Sequence, residues 1–259
     1  MANDERLEWE KLPTEELVAE LEYTGLQLPP GLIDEIVRRG AEALPYLGRL
    51  VTDARRWESE DDDRWAPIFA LHLLGAIGDP AAAPYIVEAL RLDPDPDEIV
   101  ENTPTVIAHL GPEAIPEFAR FLLDERAYGL MRAVAADGLA AIAVLHPQTR
   151  PAVLGFLRRF VEEAPKRDPE AVTGVILSLT ELRDREAMPA IVQAFRAGRV
   201  DQDLVTIEDV HDGMRSPETI SRDWHYTGDP LAFFSEERLE ALRKKQRNGR
   251  PDRGVPGTP

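Results

Sequence analysis

The sequence contains no cysteine among its 259 residues. Disulfide bonds, thiolate nucleophiles, zinc fingers and thiolate-held iron–sulfur clusters are therefore excluded, and a reducing compartment is allowed. Chemistry at a thiol is not expected of this chain.

The sequence also lacks a long apolar run. Its first residues, MANDERLEWEKL, are charged and do not contain the apolar stretch of a signal peptide. The longest apolar helix that we predict, residues 65–78, contains Pro67 and His72 and is too short to cross a bilayer. We expect a soluble, cytoplasmic protein that does not enter membranes.

Positive charge is scarce, since 30 Lys and Arg residues stand against 48 Asp and Glu residues, for a formal net charge of −18. Such a chain repels a phosphate backbone, so nucleic acid is not expected as a partner. The exception is residues 238–259, where seven basic residues outnumber two acidic ones. This segment either docks on the acidic body, recruits an acidic partner, or is a freely solvated tail.

What the sequence does contain is a repeat, seen in the stretch LLGAIGDPAAAPYIVEAL at residues 73–90. Prolines recur at intervals of 39, 32, 35 and 38 residues, which is the scale of paired-helix repeats. These prolines are Pro45, Pro84, Pro116, Pro151 and Pro189. Apolar residues follow each of them by two and by six positions, which predicts one buried helix face per repeat.

A second helix of each pair is predicted to begin near the proline, where a missing N–H breaks no helical hydrogen bond. Asp79-Pro80 and Asp168-Pro169 are predicted N-cap and first-turn pairs. The first helices are predicted over residues 32–39, 65–77, 99–110, 130–145 and 169–182. We therefore predict an all-α fold, an α-solenoid of about six stacked helical hairpins over residues 1–214. Residues 215–259 are predicted to form an extension with one amphipathic helix and a basic, disordered tail.

This pattern resembles the HEAT-like repeats, in which a helix, a Gly-Asp step and a second helix rich in alanine, proline and leucine form each unit. The segments EELVAELEYTG and AIVQAFRAGRVDQDLVTIEDV are further similar to an uncharacterised bacterial HEAT-like family known only as a domain of unknown function. Members of that family often carry a cysteine-containing zinc motif after the repeats. This chain has no cysteine, so the resemblance implies the fold and no metal role.

Candidate catalytic groups are scattered. None of the five histidines is followed by glutamate, although an iron-binding HEAT-like hydroxylase family uses His-Glu pairs. We predict packing roles for His72, His109 and His146. The densest polar cluster comprises Glu208, Asp209, His211, Asp212, Asp223, His225 and Asp229. Its spacing fits no recognised metal loop, and the chain has neither a nucleophile elbow nor a phosphate-binding glycine loop, so we predict no metal and no cofactor.

Two classes of function remain open. The first, which we favour, is a non-enzymatic scaffold or adaptor that binds a protein or peptide on the concave face of the solenoid. The second is an enzyme or a lyase-like or chaperone subunit on a HEAT-like fold. A deep pocket lined by Trp65, His72 or His109 would favour the second class.

The candidate binding residues lie one and four positions after the first three repeat prolines, away from the apolar stripe. They are Tyr46, Arg49, Tyr85, Glu88, Glu117 and Arg120. We predict that the two tyrosines anchor the partner, because aromatic side chains dominate interface energetics. Arg49, Glu88 and Arg120 alternate in sign, which alternatively predicts a ladder of salt bridges between repeats.

Overall fold

The computed structural model describes residues 9–92, 96–216 and 225–249, and within these ranges the chain is all-helical, without a strand. The α-helices longer than four residues are α1 (Thr14–Ala19), α2 (Leu32–Arg39), α3 (Leu44–Val51), α4 (Trp65–Ile77), α5 (Ala83–Arg91), α6 (Pro96–Leu110), α7 (Ile115–Leu122), α8 (Gly129–Leu145), α9 (Arg150–Glu162), α10 (Pro169–Glu181), α11 (Met188–Arg196), α12 (Ile207–Arg215) and α13 (Glu236–Gly249). The predicted all-α class is confirmed.

The repeat prolines occupy the second position of α3, α5, α7, α9 and α11, as predicted. A short 3-10 turn precedes each of these helices. Gly78 ends α4 with φ of 68°, a left-handed conformation that glycine adopts without strain. The side chain of Asp79 then accepts a hydrogen bond from the amide of Ala81, so the Gly-Asp-Pro step ends one helix and starts the next.

The helices contact one another in two series. The first helices pack in the order α2, α4, α6, α8, α10 and α12. Among the second helices, α3 packs on α5, α5 on α7, and α9 on α11. The residues two positions after each repeat proline are buried, as expected, whereas Phe195, at the sixth position of the last repeat, is only half-buried.

Residues 225–249 pack back onto the body and are called the C-terminal strap here. The strap begins with a turn at His225–Thr227 that contacts α6 and α8, and continues with a turn at Pro230–Phe234 that contacts α4 and α6. It ends in α13, where Arg243 donates two hydrogen bonds to the carbonyl of Leu26, at 2.8 and 3.1 Å. The division of the chain at residue 214 stays a prediction. Of the expected disordered tail, residues 248–259, residues 248 and 249 end α13, and residues 250–259 lie outside the described residues.

No single helix among the described residues is long and apolar enough to cross a membrane. The consecutive segments Gly129–Leu145 and Pro147–Glu162 meet the length and composition criteria only as a pair that is bent by 117°.

Candidate functional site

A groove of about 250 Å³ lies beside α3, the first of the second helices in the chain. It is bounded by α1, α3 and the turn that follows α3. It holds two of the residues selected from the sequence, Tyr46 and Arg49. The other lining residues are Glu15, Val18, Ala19, Glu22, Leu50, Asp53 and Arg56. The apolar floor and charged walls suit an amphipathic side chain.

Arg49 and Tyr46 form one unit on this groove. The guanidinium of Arg49 lies 4.9 Å from the centre of the Tyr46 ring, within the range of a cation–π contact. Arg49 also donates from Nη2 to the carboxylate of Glu15, across to α1, at 2.7 Å. The side chain of Arg49 remains 63% exposed, so both interactions are open to a partner.

The groove is also lined by a second cation, Arg56. Arg56 contacts the carboxylates of Glu22 at 2.8 Å, Asp53 at 3.4 Å and Asp63 at 3.5 Å. Hydrogen bonds from Arg55 hold the pKa of Asp53 below its ordinary value, so this carboxylate stays ionised. The three acidic and two basic residues of the groove are therefore already paired in the free chain.

Tyr85 lies next to the groove residues along the second helices. Its half-buried ring rests on Gly48 of α3, where an added Cβ atom would be only 2.4 Å from the Tyr85 Cδ1. The absence of a side chain at Gly48 thus leaves the space that this ring occupies. Tyr46 and Tyr85 lie on the adjacent, packed helices α3 and α5.

The other three candidate residues lie outside the groove and form different ion pairs from those expected. Glu88 pairs with Arg91 at 3.4 Å, and Arg120 pairs with Glu117 at 2.6 Å, both within one helix turn. Among the described residues, no ion pair joins Arg49, Glu88 and Arg120 to one another, so the predicted ladder between them is wrong. Glu88 and Arg120 each have an oppositely charged residue three positions away on the same helix, only about 5–6 Å away at Cβ, and these local partners bind them.

The first helices carry Trp65, His72 and His109, the residues proposed to line a deep pocket. The strap occupies this region. The Phe233 ring stacks on His72 at a centroid distance of 4.0 Å, and the Phe69 ring lies next to both Trp65 and Phe233. His109 donates from Nε2 to the carbonyl of Gly228 in the strap, at 2.7 Å. Burial lowers the pKa of His72 to about 4, so its ring is neutral at physiological pH.

The sequence did not reveal a carboxyl cluster next to the first turn of the strap. Asp137 of α8 bonds to the hydroxyl of Ser178 of α10 at 2.5 Å. Burial raises the pKa of both Asp137 and Glu181 to about 7, and the charge of Glu181 adds to the effect on Asp137. Burial, followed by the effect of these two carboxyl groups, also raises the pKa of Tyr226. The sequence feature that could have indicated this cluster is Asp137, an isolated acidic residue in an apolar helix.

The acidic cluster considered for metal binding is used in part for helix capping. Asp209 and Thr206 form a reciprocal capping box at the start of α12. Asp229 accepts from the amide of Leu231 at the start of its turn. Asp223 and the side chain of His225 lie outside the described residues.

Comparisons with known proteins identify relatives without an assigned activity. An uncharacterized protein of Chlamydia trachomatis is 21% identical over 204 residues, which cover 75% of this chain and 81% of that protein. An uncharacterized protein of Chlamydia muridarum is 22% identical over 204 residues, with coverages of 75% and 82%. No solved structure matches the chain. The family model described as a protein of unknown function, DUF1186, matches residues 12–222. Because this match covers most of the sequence, the chain belongs to the DUF1186 family.

Proposed function

We propose that the chain is a HEAT-like α-solenoid of about six stacked hairpins that acts as a scaffold or adaptor for another protein. Two features support the solenoid. The first helices pack on one another in chain order, and so do most second helices. Each second helix has a proline in its first turn, so successive units share one local design.

The observation that carries the proposed binding role is the groove at Tyr46 and Arg49. Tyrosine and arginine are the side chains most enriched among residues that dominate binding energy. Here one lies over the other beside a cleft of about 250 Å³, and Tyr85 continues the aromatic surface onto α5. A protein or peptide segment can bury the exposed side of Arg49 while the pair with Glu15 keeps its charge compensated.

The arrangement fits binding better than catalysis. The three carboxylates of the groove are each paired with an arginine, Glu15 with Arg49 and both Glu22 and Asp53 with Arg56, so none of them is left as an unpaired general base. Ion pairs formed in advance hold long side chains in place and reduce the conformational entropy lost on binding.

The test begins with affinity purification of the tagged chain from its native host and identification of co-purified proteins by mass spectrometry. The identified partner is then titrated against the wild-type chain and the double variant Tyr46→Ala, Tyr85→Ala. We expect the double variant to bind at least about tenfold more weakly, since hot-spot truncations cost about 2 kcal/mol or more. Tyr128→Ala removes an exposed tyrosine outside the groove and serves as the matched control.

The melting temperature of each variant is measured alongside binding. Both ring positions are half-buried, so the double variant should remain folded. Unchanged binding together with a lowered melting temperature would mean that the tyrosines serve the core, and would refute the binding role of this groove.

A further inference from the structure

The strap binds the body through an aromatic anchor. Phe233 is 7% exposed and lies between His72, at a centroid distance of 4.0 Å, and Phe69, at 6.1 Å. Phe234 contacts Phe69 from a second direction, at 5.7 Å. Two consecutive aromatic side chains therefore fill one depression on the first helices.

The depression is shaped for a short turn that begins with proline. Pro230 approaches Gly75 of α4, where an added Cβ atom would lie 3.2 Å from the proline Cγ and 3.1 Å from the Val106 Cα of α6. The absence of a side chain at Gly75 therefore opens the site to Pro230. Asp229 caps the turn through the amide of Leu231, which fixes the direction in which Phe233 and Phe234 point.

Within α13 the strap is attached by few apolar contacts. In α13 only Leu239 is buried among the residues whose side chains are described, and Leu242 is half-buried. The polar contacts that hold the strap include the bond from His109 to Gly228, those from Arg243 to Leu26, and one from Gln246 to Asp62 at 3.1 Å. Thr227, in the first turn of the strap, is also buried. Segments with few buried apolar contacts open at a fraction of the global unfolding free energy.

We propose that the depression formed by α4 and α6, lined by Phe69, His72 and Gly75, is a second binding surface that the strap occupies as an internal ligand. Its partner is a segment of another protein that presents a proline-led, acid-capped turn followed by two adjacent aromatic residues. Such a segment has the same types of side chain as Asp229–Phe234 and competes with the strap for the depression. This surface is separate from the groove at Tyr46, and neither proposal depends on the other.

The neutral state of His72 defines the chemistry of the partner. The ring lies flat against Phe233 at an interplanar angle of 22° and is buried, so an apolar aromatic face is its complement. Burial keeps the pKa of His72 low and its ring uncharged. A segment with an acidic side chain at the position of Phe233 would lose the stacking and bury a charge, so it is not expected to bind.

The test uses the full-length chain and a fluorescent peptide of residues 228–243, with fluorescence anisotropy as the readout. In the wild-type chain the tethered strap competes at an effective concentration on the order of 1 mM, so the free peptide binds poorly. In a full-length Phe233→Ala chain the strap has lost its anchor, and the peptide should bind at least about tenfold more tightly than to wild type. A peptide that carries Phe233→Ala should not bind either chain.

Two further chains complete the design. Phe195→Ala truncates a half-buried phenylalanine of α11, away from the strap, and should behave as wild type. Arg243→Ala removes the hydrogen bonds to Leu26 without changing the depression, so this chain should bind the peptide with intermediate affinity. It also tests the proposal if Phe233→Ala does not fold. Equal affinity for all folded chains, or no binding of the native peptide to a folded chain with a weakened strap, would overturn the proposal.

Discussion

Glu125→Gln should destabilise the chain more than Arg132→Met, although Glu125 is the more exposed partner of the pair. The side chain of Arg132 is 0% exposed, whereas that of Glu125 is 45% exposed. Arg132 donates two hydrogen bonds to the Glu125 carboxylate, both at 2.9 Å, and a third to the carbonyl of Leu122 at 2.8 Å. Arg167 binds the same carboxylate at 2.9 Å, so Glu125 serves two cations.

The difference follows from which charge is left unpaired. Breaking a buried pair by removing one partner costs about 3–5 kcal/mol, because the remaining charge stays buried without compensation. Glu125 is partly accessible, so water reaches the site and we expect about 2–3 kcal/mol for Glu125→Gln. Arg132→Met removes the buried charge and leaves Glu125 with Arg167 and solvent. Its main cost is the unpaired Leu122 carbonyl, about 1 kcal/mol.

Urea unfolding at pH 7, followed by circular dichroism, measures both variants against wild type. The prediction fails if Arg132→Met costs as much as Glu125→Gln or more. A pH series adds a second measurement: burial raises the pKa of Glu125, but hydrogen bonds and charges from Arg132 and Arg167 outweigh this, so the pKa is lowered. The stability from this carboxylate is therefore present above about pH 4.5 and lost as the pH falls through the lowered folded-state pKa. Glu125→Gln should remove that loss.

Two further predictions concern the first helices. The pKa of Asp137 is raised to about 7 from an ordinary value of 3.8, so its contribution to stability is lost as the pH rises from about 4 through 7. Asp137→Asn should therefore reduce the difference in unfolding free energy between pH 5 and pH 8, and an unchanged difference would contradict the assignment. Gly174→Ala should cost about 1–3 kcal/mol, because its Cβ atom would lie 2.2 Å from that of Ala133 on the packed helix α8. Gly155→Ala on α9 is the matched control, since its Cβ atom would meet only the end of the Arg159 side chain, at 3.7 Å, and it should stabilise by up to about 1 kcal/mol in thermal melts. A cost equal to that of Gly174→Ala would refute the packing argument.

The helix pattern was predictable because the repeat prolines mark one position in every second helix. The predicted bounds 32–39 and 65–77 coincide with α2 and α4, and the one helix predicted within residues 215–259 is α13. The start of α6 was placed at residue 99, whereas the helix begins at Pro96. Proline is acceptable in a first helical turn, so residues 96–98 add a turn at the start of α6.

The groove was only half predictable. Tyr46 and Arg49 are three residues apart on one helix, and the periodicity therefore indicated a shared exposed face. Glu15 and Glu22 come from the segment that contains α1, and nothing in their local sequence shows that they face α3. The pairing of Arg49 with Glu15, 34 residues away, depends on the packing of the helices. Charge alternation along the repeats could not reveal it, because each cation is bound by the carboxylate nearest in space.

The docking of the strap had two indications in the sequence, the basic charge of residues 238–259 and the composition of α4. A helix of a two-layer stack should keep a polar stripe for solvent, yet every residue from Trp65 to Gly75 is buried. A helix that is apolar on all sides needs cover on all sides, and neighbours within the repeats leave the remaining side open. Phe233, Phe234 and Pro230 provide that cover. The apolar composition of α4 therefore indicates a helix that needs cover on this side, and a partner that displaced the strap would have to bring comparable apolar area, since exposed α4 would otherwise promote association.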